Sequence, residues 1–331
     1  MDCEFDAKTW KNDASQFNER AIRLFQYQYR HNKIYREYVD LLNVPAGKLR
    51  QWQDIPFLPI SFFKSHQLQT GSWVPETWFE SSGTTGAQTS RHFVKQMETY
   101  QNSFMEGFRL FYGAPSDWCI IGLLPAYLER QHSSLVVMTD ALIKASRHPK
   151  SGFYLYNHDE LAEVLRQNER KGQKTWLIGV TFALLDFAEQ YPMELRHTVV
   201  LETGGMKGRR RELTRSEIHE VLRAQWKLKK IHAEYGMTEL FSQAYSFGDG
   251  LFNCPPWMKI VLREEDDPLA LVRPHSAKPV SGAINIIDLA NVDSCAFIAT
   301  EDVGRLHPDG RFEVLGRMDN TDIRGCSLLV V

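Results

Sequence analysis

No Cys-x-x-Cys spacing occurs in the chain, and its five cysteines (Cys3, Cys119, Cys254, Cys295 and Cys326) are scattered and odd in number. That excludes a zinc knuckle and a disulfide framework. The first four read as buried apolar thiols. Neither sign of charge is in excess. A formal net charge of -2 provides no global field for nucleic acid or an anionic membrane, so no nucleic-acid partner is expected. No apolar run approaches the roughly 20 residues of a spanning helix, which argues against membrane insertion. Met1 to Trp10 carries Asp2, Glu4 and Asp6 where a signal peptide needs a basic and then an apolar stretch, and the expectation is a cytoplasmic protein. Internal repeats, low-complexity segments and a clear linker are all missing. No Gly-Lys-Ser/Thr follows a glycine loop at Walker spacing, so the chain is not a P-loop nucleotide binder.

What is present is an ordinary globular composition, 43% hydrophobic and 24% charged over 331 residues, enough to bury a large core. Phe17, Ala21, Leu24 and Phe25 recur at helical spacing, with Asp13 and Ser15 as candidate caps. Asp54 to Phe63 is interrupted by Pro56 and Pro59 and reads as an extended connector. Beyond it, short apolar runs at Trp118 to Leu124, Trp176 to Val180 and Thr198 to Leu201 read as strands covered on both faces. Between and after them lie helical patterns at Asp159 to Arg166 and Phe182 to Glu189, and a capping box, Thr214-Arg215-Ser216-Glu217, opening a helix with Ile218, Val221, Leu222 and Trp226 inward. Strands alternating with helices imply parallel βαβ units. Ala283 to Asp288, Cys295 to Ala299 and Phe312 to Leu315 are strand-like and separated by turn residues, which suggests an antiparallel or barrel-like β region. The expected fold class is α/β. The expected organisation is an N-terminal helical segment, 1–79, packed on a core, 80–331, in one catalytic body.

Five segments carry possible chemistry. Ser81-Ser82-Gly83-Thr84-Thr85-Gly86 combines glycines that free the backbone with hydroxyls suited to phosphate oxygens. It reads equally as a flexible surface turn. Gly204-Gly205-Met206 follows the strand Thr198 to Leu201, at the edge where α/β sheets hold ligands, and a flat ring could approach the backbone there; a plain strand-to-helix turn is the alternative. Glu234-Tyr235-Gly236-Met237-Thr238-Glu239 sets an aromatic beside a glycine, then a hydroxyl and a carboxylate suited to phosphate and magnesium. Thr300-Glu301-Asp302-Val303-Gly304-Arg305 and Leu315-Gly316-Arg317-Met318-Asp319 each offer ribose or phosphate contacts through Asp302 and Arg317. As isolated pieces both read as β-turns.

Taken in order, these segments resemble the signature of the acyl-adenylate-forming superfamily, which includes acyl-CoA synthetases, peptide-synthetase adenylation domains and firefly luciferase. The resemblance implies that superfamily's large-domain fold, βα layered sheets plus a small β-barrel-like region. It assigns Ser81 to Gly86 to the phosphate loop, Gly204-Gly205-Met206 to the adenine side, Glu234-Tyr235-Gly236-Met237-Thr238-Glu239 to the aromatic-Gly-x-Thr-Glu motif, Asp302 to ribose, and Arg317 to the hinge region. Within the superfamily the chain is similar to the LuxE-like acyl-protein synthetases and, more distantly, to phenylacetate-CoA ligases. Two departures stand out. The phosphate loop has Gln88-Thr89-Ser90 in place of a Pro-Lys-Gly tail. The sequence also ends soon after Arg317, where most members continue into a mobile C-terminal domain bearing a lysine, so the expected fold lacks that domain and the lysine's contribution would be absent, replaced or supplied by a partner.

The implied reaction has two halves. A carboxylic acid, fatty or aryl, attacks ATP to give acyl-AMP and pyrophosphate, with Mg2+ held by Glu239 and Thr238 at the α-phosphate or acyl carbonyl. A thiol then takes the acyl group. The thiol is Cys326 in Gly325-Cys326-Ser327, a cysteine of a partner protein, or CoA. Cys326 also reads as a buried thiol in a terminal strand. The acyl pocket is expected near Pro125–Ser134, Trp176–Phe182 and Phe241–Tyr245, with His132 closing it or orienting the carboxylate; core packing is the competing reading for each. A ligase that releases acyl-CoA, and a nucleotide-binding module without turnover, are the rival functions.

Overall fold

The computed structural model describes residues 16–81, 89–124, 132–204, 213–265, 267, 269–272 and 278–318. Two compact units emerge, each woven from three stretches: Met1–Phe104, Gly236–Gln243 and Cys254–Val314 in the first, Met105–Tyr235, Ala244–Asn253 and Leu315–Val331 in the second.

The first unit opens with α1 (Phe17–His31), which buries Phe17, Ala21, Leu24 and Phe25 along one stripe, as their spacing predicts. Gln28 lies on the same stripe. Its amide nitrogen donates to the carbonyls of Asn291 and Val292 at 2.7 and 3.0 Å, and its oxygen accepts from Ala296 N–H at 3.0 Å, so a buried polar group is fully used. Asp13 and Ser15, the candidate caps, lie outside the described residues. Asn32 caps α2 (Lys33–Leu41) by accepting from Tyr35 N–H. The proline-broken connector is largely extended. It contributes β1 (Leu58–Pro59), parallel to a late strand, and then a single helical turn, α3 (Phe62–Ser65), where a wholly extended path was expected. The turn forms just past Pro59, where no further proline bars helical backbone. A hairpin follows, β2 (Thr77–Glu80) against β3 (Arg91–Val94), registered Thr77↔Val94 to Glu80↔Arg91. Its neck is closed by Ser81 N–H donating to the Ser90 carbonyl at 3.0 Å and Ser90 N–H to Ser81 Oγ at 2.9 Å. Helix α4 (Met97–Tyr112) then carries the chain onward.

The second unit is the α/β part. It runs β4 (Cys119–Leu123), α5 (Ser134–Ser146), β5 (Gly152–Phe153), α6 (His158–Lys171), β6 (Thr175–Val180), α7 (Thr181–Gln190), β7 (Thr198–Thr203), α8 (Arg215–Trp226) and β8 (His232–Tyr235). The strands lie in the order β8-β7-β6-β4-β5, all parallel. β4 and β6 are buried at every position, as strands covered on both faces must be. Thr214 and Glu217 form the capping box that opens α8, whose Ile218, Leu222 and Trp226 are buried. Each such large apolar side chain contributes about 2 kcal/mol when fully withdrawn from water. β9 (Ala244–Ser246) returns antiparallel to β8, and β10 (Phe252–Asn253) pairs with β9.

The remaining strands belong mainly to the first unit: β11 (Met258–Arg263), β12 (Leu271–Val272), β13 (Val280–Asp288), β14 (Phe297–Leu306) and β15 (Phe312–Arg317). They follow the order β12-β11-β13-β14-β15, with antiparallel pairing along β12-β11-β13-β14 and β1 parallel to β14. The antiparallel expectation holds, with two corrections: Leu315 to Arg317, which reads locally as a turn, belongs to β15, and the other concerns β14. Thr300 to Arg305, which reads locally as a turn, lies inside β14. The ladder pairs Ala283↔Val303 and Asn285↔Ala299, so Thr300, Glu301 and Asp302 together face Ile284. A bulge lets the strand continue through a sequence that looks like its end.

Candidate functional site

In the first unit, Thr238 and Glu239 occupy the central positions of a turn closed by Leu240 N–H donating to the Met237 carbonyl at 3.1 Å. Buried side chains from elsewhere in the unit hold both central carbonyls. Thr238 O accepts from His92 Nδ1 at 2.9 Å, and Glu239 O accepts from Asn291 Nδ2 at 2.8 Å. Just beyond the turn, Asp288 collects Phe241 N–H at 2.8 Å, Ser242 N–H at 3.0 Å, Ser242 Oγ–H at 2.6 Å and Ala290 N–H at 3.1 Å. Burial pushes the Asp288 carboxyl above the ordinary range even though those four donors pull the other way. Trp257 Nε1 donates to Ser242 Oγ at 2.9 Å. The turn is therefore fixed from behind through its main chain. Glu239 is only 5% exposed, and Thr238 is half-buried.

Asp302 rides on the β14 bulge, half-buried. The bulge is pinned by buried Arg263, whose Nη1 donates to the Ile284 carbonyl at 3.0 Å and Asn285 Oδ1 at 2.7 Å, and whose Nη2 donates to the Thr300 carbonyl at 2.6 Å. Thr300 Oγ1 donates to the Ile284 carbonyl at 2.7 Å and accepts from Asp302 N–H at 3.1 Å. Ser81 sits at the hairpin neck. The rest of the expected phosphate loop, Ser82, Gly83, Thr84, Thr85 and Gly86, lies outside the described residues.

In the second unit, Glu202, Thr203 and Gly204 stand at the carboxyl end of β7 beside Glu234 and Tyr235 of β8. Gly204 has φ +74°, a conformation open to glycine at little cost. Its carbonyl accepts from Thr181 Oγ1 at 2.6 Å. Thr203 Oγ1 donates to Glu234 Oε2 at 2.6 Å, and Arg215 Nε donates to Glu202 Oε1 at 3.1 Å. These two carboxyl groups are pushed apart. Burial raises Glu234 to about 7, the Thr203 hydroxyl opposing and the Glu202 charge adding to the rise. Burial also presses Glu202 upward, but His219 and Arg215 outweigh it and leave Glu202 below the usual value. Near neutrality Glu202 is ionised, while Glu234 is shared between its two forms.

Tyr235 is buried and packs on Phe252 at 5.9 Å between ring centroids. Arg317 is exposed at the end of β15, and His132 is half-buried just ahead of Ser133, the cap of α5. Gly205, Met206, Asp319 and Cys326 lie outside the described residues, as do 125–131 of the expected pocket. Trp176 and Phe182 are core residues of the second unit, and Phe241 stacks on His92 in the first. Cys119 and Cys295 are buried thiols, and enclosure pushes the Cys254 thiol up to about 12. Among the described residues no group of three His, Cys, Asp or Glu side chains could hold a metal ion, and no helix is long and apolar enough to cross a membrane. A magnesium ion that travels with phosphate oxygens needs no such cage; one or two carboxylates suffice.

His92, Asn291, Asp288 and Arg263 were not visible as candidate site residues in the sequence. Each acts on the main chain, and none stands in a local pattern that would single it out.

The fold is similar to that of solved structures of MatB and of a CoA ligase. A crystal structure of ATP-bound MatB from Rhodopseudomonas palustris superposes with a TM-score of 0.54 at 16% identity, over 72% of this chain and 47% of that one. A 2-hydroxyisobutyryl-CoA ligase in its postadenylation state gives a TM-score of 0.61 at 11% identity, over 91% of this chain and 67% of that one. The chain thus spans about half the length of the MatB structure. Residues 5–102 match the family described as "Acyl-protein synthetase, LuxE", a stretch that includes the Ser81–Gly86 segment. No curated protein sequence matches.

Proposed function

We propose that the chain activates a carboxylic acid with ATP, forming an acyl-adenylate and pyrophosphate, and passes the acyl group to a thiol. The observation that carries this reading is the Thr238–Glu239 turn, which follows directly on β8. Its two central carbonyls are tied back to buried His92 and Asn291, as a site that must hold charged atoms in register requires. The acyl-protein synthetase match over residues 5–102 and the ATP-bound relative of like fold support it.

In this reading the substrate carboxylate attacks the α-phosphorus of ATP, and the bond to the β,γ-pyrophosphate breaks. Catalysis is mostly positioning and charge stabilisation. Ser81, Ser82, Thr84 and Thr85, with Gly83 and Gly86 freeing the backbone, contact phosphate oxygens. Gly204, Gly205, Met206, Glu234, Tyr235 and Gly236 form the adenine side. Asp302 accepts the ribose hydroxyls, and Arg317 reaches the same sugar or a phosphate. Glu239 would hold magnesium, which neutralises phosphate charge when bound. Thr238 donates to the α-phosphate or the acyl carbonyl, and His132 orients the incoming carboxylate. The acid is fatty or aryl, and the acceptor is Cys326, a partner's cysteine, or the pantetheine thiol of CoA, whose thiolate attacks the acyl carbonyl, breaks the acyl–phosphate bond and releases AMP.

Acid-dependent exchange of labelled pyrophosphate into ATP, screened over fatty and aryl acids, tests the first half-reaction. Exchange with some acid, lost in Glu239→Ala, is the expected result. No exchange with any acid would leave nucleotide binding without turnover as the surviving reading.

A further inference from the structure

We propose that His92 is a positioning residue for the adenylation step, tying the strand that leaves the Ser81–Ser90 neck to the Thr238–Glu239 turn through its Nδ1–H. The inference rests on the functional reading above and extends it to a residue outside the five motifs.

The geometry fixes the tautomer. The Thr238 carbonyl can only accept, so the hydrogen of the 2.9 Å contact belongs to Nδ1. In a neutral ring Nε2 is then an acceptor, and Ser294 Oγ, at 2.8 Å, donates to it. Burial keeps the ring neutral, lowering its pKa to about 4. Ser294 is itself anchored. Its carbonyl accepts from Thr70 Oγ1 at 2.6 Å and from Asn32 Nδ2 at 3.0 Å. The result is a directional relay: Thr70 and Asn32 hold Ser294, Ser294 holds the imidazole, and the imidazole holds the Thr238 carbonyl. The ring has no room to turn. It stacks on Phe241 at 4.6 Å and 25°, and meets Phe63 edge-on at 5.5 Å and 79°.

Core filling alone does not call for this residue. Val94, the other inward residue of β3, is apolar and fully buried. His92 stands two positions beyond Ser90 of the neck, while its ring ends on the residue next to Glu239. One side chain therefore sets the distance between the Ser81–Ser90 neck and the turn bearing the carboxylate. A shift of about 1 Å between such groups is enough to cost on the order of a hundredfold in rate.

The test uses three substitutions in the full chain, read by acid-dependent pyrophosphate exchange (kcat and KM for ATP) and by melting temperature. His92→Asn keeps an N–H near the Nδ1 position and should retain most of kcat. His92→Gln moves the amide to the Nε2 side, and His92→Phe keeps the stack without either bond. Both should lose kcat about a hundredfold, with KM for ATP little changed. Equal losses in all three variants, or an unaffected kcat in folded His92→Phe, overturns the inference. So does nitrogen NMR showing the Nε2–H tautomer in the wild-type protein. Should His92→Phe not fold, Ser294→Ala leaves the ring in place without its Nε2 donor and should lower kcat about tenfold; an unchanged kcat there also overturns it. Absence of exchange in the wild-type protein with every acid sinks the functional reading, and this inference with it. Exchange that survives loss of the ring sinks the inference alone.

Discussion

Thr203 Oγ1 donates to Glu234 Oε2 at 2.6 Å between the neighbouring parallel strands β7 and β8. The bond helps Glu234 ionise, yet burial and the nearby Glu202 charge outweigh it, and the carboxyl titrates near 7 in the folded chain against an ordinary 4.5. The folded state therefore holds a proton that the unfolded chain releases between those values. Stability from this group is fully present below 4.5 and is lost as pH rises through about 7, at about 1.4 kcal/mol per unit. His92 and His232, both lowered to about 4 by burial, act in the opposite sense between 4 and 6.5. A difference measurement is needed to isolate Glu234. Glu234→Gln keeps an acceptor for Thr203 and cannot ionise. Its stability relative to wild type, from urea unfolding at a series of pH values, should rise steadily between pH 5 and 7 and then level off; a flat difference would show that Glu234 titrates normally.

Arg263 spans the β14 bulge that carries Asp302. Arg263→Met should take one donor from each of the Ile284 and Thr300 carbonyls and let Asp302 shift, weakening ATP binding about tenfold. Arg263→Lys should not restore it, because an ammonium cannot reproduce the planar fork. Calorimetric titration with ATP, on protein whose melting is checked in parallel, decides the point. Full rescue by lysine would count against the bulge as the device that aims Asp302.

Asp288 gathers four donors behind the Thr238–Glu239 turn. In Asp288→Asn one oxygen becomes an NH2 group, and whichever way the amide turns it faces donors: the Phe241 and Ser242 N–H groups on one side, or Ser242 Oγ and Ala290 N–H on the other. The expected cost is about 2–4 kcal/mol, read by denaturant unfolding. A loss under 1 kcal/mol would mean the segment is held mainly by Asn291 and His92.

Gly304 lies inside the stretch that resembles a ribose motif, but its own reason for being glycine is local. A Cβ there would stand 2.6 Å from the Glu313 carbonyl and 2.6 Å from Ile284 Cδ1. The carbonyl belongs to the neighbouring strand and cannot give way without disturbing β15. Gly304→Ala should destabilise by about 1–3 kcal/mol while leaving ATP affinity per folded molecule unchanged. A specific loss of affinity in fully folded protein would assign this glycine to the site.

Where periodicity was strong, the sequence was readable. The stripe of α1, the buried runs of β4 and β6 and the Thr214–Glu217 capping box follow from spacing and local hydrogen bonding alone. The motif segments stood out for another reason, since glycines, hydroxyls and a Thr-Glu pair suggest a chemistry over a few residues. The supports behind them could not be read. His92 bonds to a carbonyl 146 residues away, Asn291 to one 52 away and Asp288 to donors 46 and 47 away. No local pattern encodes such partnerships. β14 was obscured differently: its acidic residues and glycine mimic a turn, and only the pairing with β13 reveals the bulge that keeps the strand going.

Gln28 of the first helix reaches across 263 and 264 positions to the carbonyls of Asn291 and Val292, and β1 pairs with β14, Leu58 beside Ile298. During synthesis the opening helices, which meet each other early, must therefore wait for these late partners until residues near 298 have left the ribosome. The α/β strands β4 to β8, whose paired strands all lie between Cys119 and Ser246, can assemble long before. Expression should accordingly be most sensitive to chaperone supply and to substitutions that make the apolar stripe of Phe17, Leu24 and Phe25 more adhesive while it stands uncovered.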